Sequence, residues 1–293
     1  MSHTPESELV LTADGRIYHL GLRPEDIGSI ILTVGDPERV GRISRHFDRI
    51  DVQASKREFH THTGWLGKHR ISVVSTGIGP DNIDIVVNEL DALANFDFEQ
   101  RIVKQELTSL RIIRLGTSGA LQEDIEPGSV VVSRFGIGLD NLMYFYQYHN
   151  TLSEAELFDA LQEFQQYHGL LPIQPYVCES DLYLAQVLGK DLEQGITLTC
   201  PGFFGPQGRQ WRVPIALPFD NMTPMQHFRF REYRIVNFEM ETSALFGLSR
   251  LLGHHALSFN VILANRTRQT FTSDPYKAVD GMIETALERI AAL

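Results

Sequence analysis

Apolar runs alternate with amphipathic stretches along most of the chain. Residues 29–34 (SIILTV), 71–75, 196–200 and 256–264 lack strict apolar/polar alternation, as strands buried on both faces do. Residues 112–113 and 130–132 read as the cores of two more strands, and 173–178 and 234–236 as shorter ones. Residues 38–47, 82–93, 153–168, 181–192, 237–253 and 274–293 carry helical spacing. Local chemistry marks several ends. Asp36 suits an N-cap followed by Pro37 at the first turn, Ser153 with Glu156 reads as a capping box, and Gly253 as a stop. Residues 51–63 read as one extended segment, with a hairpin-like turn at 64–68. This order of elements predicts a single α/β domain over residues 16–293, with a mixed, mostly buried sheet flanked by helices. Polar residues 1–15 read as a flexible N-terminal tail, and the charged stretch 96–110 as an insertion.

Composition narrows the function classes. With 43% hydrophobic and 22% charged residues among 293, the chain can bury a large core. The net charge of −11, without a basic run, argues against nucleic acid as a partner. Cys178 and Cys200 are too few for a disulfide framework and lack metal-ligand spacing. The first residues show no signal-peptide pattern and no run is long enough to span a membrane, so a cytoplasmic protein is expected.

Candidate chemistry collects where strands are expected to end, after Val34, Ser75, Leu115 and Ala264. Gly116-Thr117-Ser118-Gly119 reads as a turn at a strand's carboxyl end, where free N–H groups and Arg114 would meet an anion. Arg39 falls in the first turn of a helix. The loop around Phe203, Phe204, Gln207 and Arg209 sets aromatic rings beside amide and guanidinium groups, which suits a planar polar ring. Glu239 and Glu241 lie near the expected start of a helix, where the dipole alone favours carboxylates. Singly, each feature also fits a plain structural role. Together they favour a small-molecule site.

Several stretches then match one family in order. These are His19-Leu20-Gly21-Leu22, Gly35-Asp36-Pro37-Glu38-Arg39-Val40, Lys56-Arg57-Glu58-Phe59, Ser75-Thr76-Gly77-Ile78-Gly79, Arg114-Leu115-Gly116-Thr117-Ser118-Gly119, Gln207-Gly208-Arg209, Glu239-Met240-Glu241 and Asn265-Arg266-Thr267. The chain resembles nucleoside phosphorylases of the uridine phosphorylase branch. The resemblance implies a distorted, barrel-like mixed sheet and reversible phosphorolysis of uridine to uracil and ribose 1-phosphate. It assigns phosphate to Gly35, Arg39, Arg57, Arg114 and Thr117. Ribose goes to His19, Thr117, Glu239, Met240 and Glu241, and the base to Ser118, Gly119, Phe203, Gln207, Arg209 and Arg266. Arg114, Thr117, Gln207, Arg209 and Glu241 would carry the catalysis. In this family the residues matching His19 and Arg57 come from a neighbouring subunit, so a homodimer or higher homo-oligomer with shared sites is implied. Inorganic phosphate is a co-substrate, and no cofactor and no catalytic metal is expected. An alanine at Arg114 is expected to lose most turnover while the protein stays folded.

Purine members of the family carry Asp where this chain has Asn265, and Asn cannot protonate a purine N7. Gln207 and Arg209 suit a pyrimidine edge. A purine nucleoside phosphorylase and a nucleoside hydrolase are the enzymatic alternatives, and a catalytically silent nucleoside-binding protein is the other. The chain departs from the family at Gly205-Pro206-Gln207-Gly208-Arg209, where many relatives have Pro-Gly-Gln-Glu-Arg. It departs again at Gly79-Pro80-Asp81-Asn82, near where some members hold an interface monovalent cation, which leaves that ion open. Residues 96–110 and 134–175 match poorly and read as insertions.

Overall fold

A computed structural model describes residues 3–168 and 173–293 of the chain. The first half of the order is β1 (Ile30–Val34), α1 (Pro37–Ser44), β2 (Arg49–Lys56), β3 (Phe59–Leu66), β4 (His69–Ser75), α2 (Pro80–Asn95), β5 (Phe96–Asp97), β6 (Ile102–Val103), β7 (Arg111–Ala120) and β8 (Val130–Gly138). The second half is α3 (Leu152–His168), β9 (Tyr176–Glu179), α4 (Leu182–Leu188), β10 (Glu193–Thr199), α5 (Phe219–Met222), β11 (Arg229–Phe230), β12 (Tyr233–Glu239), α6 (Thr242–Leu251), β13 (His255–Asn265), β14 (Thr270–Phe271) and α7 (Pro275–Ala291).

The sheet has an open limb and a closed end. In the open limb β1 runs parallel between β4 and β7, and β4, β3 and β2 form an antiparallel meander. At the other end β7 pairs with β13, β13 with β8, β8 with β10, β10 with β12, and β12 with β7 again. Five strands thus close into a mixed barrel, which removes their free edges. The fold is therefore a mixed α/β domain with a barrel-like sheet flanked by helices.

Strands β1 and β7 are apolar on successive residues because both faces are covered. Ile31 and Ile112 pack with α2 and α6 through Ile83, Val86, Leu90 and Leu245. Leu32 and Ile113, one residue on, pack with α1 and α7 through Val40, Ile43, Met282 and Ile283. Alternation is lost because neither face meets water.

Capping chemistry places several helix starts where local sequence predicts them. The Asp36 side chain accepts from the Glu38 N–H ahead of Pro37, the Asp181 side chain from Leu184 N–H, and the Asp274 side chain from Lys277 N–H. The capping box of α3 sits two residues earlier than expected: Thr151 N–H donates to Glu154 Oε2 and Glu154 N–H to Thr151 Oγ1. The extended segment expected at 51–63 is a hairpin, β2 turning into β3 at Arg57, whose φ of 55° is left-handed. The helix expected from residue 237 starts at Thr242, since Asn237 to Glu239 finish β12.

Residues 3–15, the expected tail, run along the β5–β6 hairpin. Arg101 in that hairpin donates to the carbonyls of Thr4, Pro5 and Leu9. Of the stretch expected as an insertion at 134–175, residues 169–172 lie outside the described residues; the rest supplies β8, α3 and the aromatic segment between them. Among the described residues no helix is long and apolar enough to cross a membrane.

Candidate active site

The expected turn at Gly116-Thr117-Ser118-Gly119 is strand. β7 runs unbroken from Arg111 to Ala120 and pairs through these residues with β13 and, at its end, with β12. Glycine is needed at 116 for space: a Cβ there would overlap the Arg114 guanidinium. The small and hydroxylated residues that read as a turn line a crowded barrel mouth instead. They open on a cavity of about 530 Å³.

One end of the cavity is charged and buried. Gly35 to Pro37 leave β1 and start α1, which brings Arg39 in its first turn back over the strand end. Arg39 Nη1 donates to the Leu115 carbonyl at 3.1 Å, while its buried Nε has no partner. Burial pulls this guanidinium down to about 10, so it stays charged at neutral pH. Arg114 Nη1 donates to Asn260 Oδ1 at 2.8 Å, and Nη2 contacts Glu241 Oε2 and lies 3.2 Å from Glu239 Oε2. Burial alone would lower Arg114, but the two carboxylates outweigh it and hold it above its ordinary value. Burial and Glu239 push the Glu241 carboxyl up, and Arg114 with the Gly79 N–H at 2.8 Å pulls it back.

Glu239 has a second task. Its carboxylate accepts from the N–H groups of Glu241 and Thr242 and from Thr199 Oγ1 at 2.8 Å. It therefore caps the start of α6 and fixes the segment Glu239-Met240-Glu241 against the cavity.

The other end is aromatic and cationic. Arg209 stacks 3.8 Å over the Phe203 ring and donates to Gln207 Oε1. Arg266 donates to the Gln207 carbonyl at 3.2 Å and lies over Phe219 and Phe238. Burial and the neighbouring Arg266 bring Arg209 down to about 10, and burial lowers Arg266. Gly205 to Gln207 make a tight turn that Gly208 ends at φ 67°, where a Cβ would press on the Phe219 backbone. That accounts for glycine where many relatives of the resembled family place Glu.

Twelve of the predicted site residues meet in this cavity: Gly35, Arg39, Arg114, Thr117, Ser118, Gly119, Phe203, Gln207, Arg209, Glu239, Met240 and Glu241. Arg266 stands behind Gln207. His19 and Arg57 lie elsewhere in the chain. His19 Nδ1 is 2.7 Å from Glu89 Oε1, and Glu89 also accepts the His19 and Leu20 N–H groups. Arg57 lies over Tyr18, whose ring meets His19 edge-on. Asn265 faces away from the cavity. Its amide donates to the Gln122 and Ile125 carbonyls, and its oxygen accepts from Arg268 N–H. The base argument drawn from Asn265 therefore loses its footing in this chain.

Sequence reasoning missed Glu89, Asn260, Phe238 and Phe271. Asn260 carried a signal, a lone amide inside the apolar run 256–264. Phe238 and Phe271, which line the cavity, carried none. Among the described residues no group of three or more His, Cys, Asp or Glu side chains is placed to hold a metal ion.

Residues 29–293 match the family model of the phosphorylase superfamily. The chain is 29% identical over 262 residues to a uridine phosphorylase of Thermococcus kodakarensis, covering 89% of this chain and 81% of that one. It is 28% identical over 264 residues to a uridine phosphorylase of Escherichia coli, covering 86% and 87%. A crystal structure of a Trypanosoma brucei nucleoside phosphorylase, described as showing uridine phosphorylase activity, superposes with a TM-score of 0.88 at 28% identity over 97% of this chain and all of that one (100%).

Proposed function

Since the chain belongs to the phosphorylase superfamily, we propose that it catalyses the reversible phosphorolysis of uridine to uracil and ribose 1-phosphate. The observation that carries this reading is the order of chemistries along one cavity: guanidinium groups at one end, Glu241 and Met240 between, and an amide–guanidinium pair on aromatic rings at the other.

Phosphate binds between Arg39, Arg114, Thr117 and the backbone of Gly35. Glu241 accepts the ribose hydroxyls, Glu239 holds that carboxylate's segment in place, and Met240 packs on the sugar. Ser118 and Gly119 floor the base pocket, with Phe203 against the ring. As the bond from C1′ to the uracil nitrogen breaks, its electron pair moves into the base, where Gln207 and Arg209, backed by Arg266, stabilise it. A phosphate oxygen forms the new bond to C1′ of the cationic sugar. The reaction needs no side-chain nucleophile, because the cavity holds both reactants in line. Uracil rather than a purine rests on the Gln207–Arg209 pair.

Charge balance supports a shared site. Arg39 and Arg114 face Glu239 and Glu241, which leaves the phosphate end without surplus positive charge for a dianion. Arg57 and His19 cluster with Tyr18 outside their own cavity. A second copy delivering both would supply the missing cation. Cys178 and Cys200, buried and unpaired, fit a reducing cytoplasmic setting.

The test is to incubate the protein with uridine, thymidine, deoxyuridine, inosine and adenosine, with and without phosphate, and follow free base. Uracil release that requires phosphate is expected. Release that ignores phosphate, or inosine cleaved faster than uridine, overturns the reading.

A further inference from the structure

The interior of the closed barrel is layered. Ala120, Ile125, Val131, Val236 and Ile262 plug one end with apolar side chains. Arg114 and its two carboxylates occupy the other. Between these layers the barrel strands contribute small polar side chains, Ser118, Asn237, Thr197, Ser133 and Asn260 among them, with Ser258 beside Asn260 on β13 and accepting from its Nδ2 at 3.1 Å. All but Ser118 are fully buried.

Hydrogen bonds join these groups in the order of the strands around the barrel. Arg114 Nη1 donates to Asn260 Oδ1 at 2.8 Å, and Asn260 Nδ2 to Ser133 Oγ at 3.1 Å. The Ser133 and Thr197 hydroxyls are 2.6 Å apart. Thr197 Oγ1 donates to Asn237 Oδ1 at 2.8 Å, and Asn237 Nδ2 to Ser118 Oγ at 2.8 Å. The path leaves β7 at Arg114, passes through β13, β8, β10 and β12, and returns to β7 at Ser118.

Its direction follows from the first donor. A guanidinium has no acceptor, so Asn260 turns its oxygen to Arg114 and its nitrogen to Ser133. Thr197 gives its one hydrogen to Asn237, so Ser133 must donate to Thr197. Reversing the half beyond Thr197 would leave one of these two hydroxyl hydrogens without an acceptor at full burial, which is costly. Every hydrogen therefore points the same way round. Ser118 only accepts within this path, and its own hydrogen remains for the cavity it lines.

We propose that this ring commits Ser118 as a hydrogen-bond donor to the substrate and ties it to Arg114, which makes Asn260, Ser133, Thr197 and Asn237 positioning residues of the reaction. The proposal rests on the uridine reading of the cavity. Ser118 lines the cavity together with Gly119, Phe203, Gln207 and Arg209, and in that reading it floors the base pocket, so the acceptor is a carbonyl oxygen of the pyrimidine. Negative charge grows on that oxygen as the glycosidic bond breaks, and the hydrogen bond strengthens with it.

A mutant cycle tests this, because Thr197 lies on the far side of the ring and touches no substrate. Ser118→Ala is expected to lower kcat for uridine phosphorolysis about tenfold. Thr197→Val is expected to lower it about threefold with the KM for phosphate unmoved, and Thr197→Ser to restore it. In the Ser118→Ala background, Thr197→Val should add less than about twofold, since the two changes break one path. A Thr197→Val that lowers Tm but leaves kcat alone, or that multiplies fully with Ser118→Ala, overturns the proposal. The same cycle read as uridine affinity by calorimetry needs no turnover. Wild-type protein that neither binds nor cleaves uridine defeats the reading and the proposal with it; uridine activity with multiplicative variants defeats the proposal alone.

Discussion

The two ends of the cavity handle charge in opposite ways. At the phosphate end Arg114 is locked between Glu239 and Glu241, which are themselves tied to Gly79 and the start of α6. Arg114, Glu239 and Glu241 ride on barrel strands or the residues next to them. At the base end Arg209 and Arg266 stack on Phe203, Phe219 and Phe238 and have no carboxylate among their neighbours in the described residues. Arg209 hangs on a loop. The first end is preorganised because it is part of the fold. The second holds unneutralised positive charge against polarisable rings, ready for a base that becomes negative in the transition state. Stability and catalysis should be inseparable at the first end and separable at the second.

The largest effect that can break this contrast is at Arg114. Arg114→Ala leaves Glu239 and Glu241 buried without their cation, so a loss of about 3–5 kcal/mol is expected in urea unfolding together with lost turnover. The ion pairs revise the expectation from sequence, which had the variant folding normally. Wild-type stability for Arg114→Ala would remove the claim that this end belongs to the fold. Next is Arg209→Ala, for which kcat should fall about 10²–10³-fold, as for an oxyanion donor. Its stability should change by no more than about 0.5 kcal/mol, because it leaves no buried charge behind. Unfolding on the same scale as Arg114→Ala would erase the difference between the ends.

The smallest effect is in pH. Burial brings Arg39 and Arg209 down to about 10. Both are charged below that value and neutral above it. The KM for phosphate should therefore rise, and kcat/KM for uridine fall, as pH climbs towards about 10. Steady-state profiles in the two substrates check this. A profile that stays flat through that range would mean that neither guanidinium is desolvated.

Legibility from sequence follows the same divide between local and distant causes. Caps at Asp36, Asp181 and Asp274 depend on residues within a turn, and the strand cores at 29–34 and 256–264 depend on burial of both faces. Both are written locally. The barrel is not, because β12 meets β7 through Asn237 and Phe238 against Ala120 and Gly119, far apart in the chain. Without that closure, Gly116 and Gly119 read as a turn, Asn237 as the start of a helix and Asn260 as a blemish in an apolar run. Closure turns the glycines into clearance for Arg114 and Phe238 and the amides into a buried ring. The gathering of Arg39, Arg114, Gln207, Arg209 and Glu241 was legible through motif order. Asn265 was not, since its partners at Gln122 and Ile125 are set by packing.

The most direct test of phosphate as the nucleophile is the identity of the sugar product. Uridine and phosphate are incubated with the protein, and the mixture is read by phosphorus NMR alongside a measurement of uracil. Two unlike ends acting on one bond predict ribose 1-phosphate in equal amount to uracil. Uracil accompanied by free ribose, with inorganic phosphate unchanged, would contradict the account.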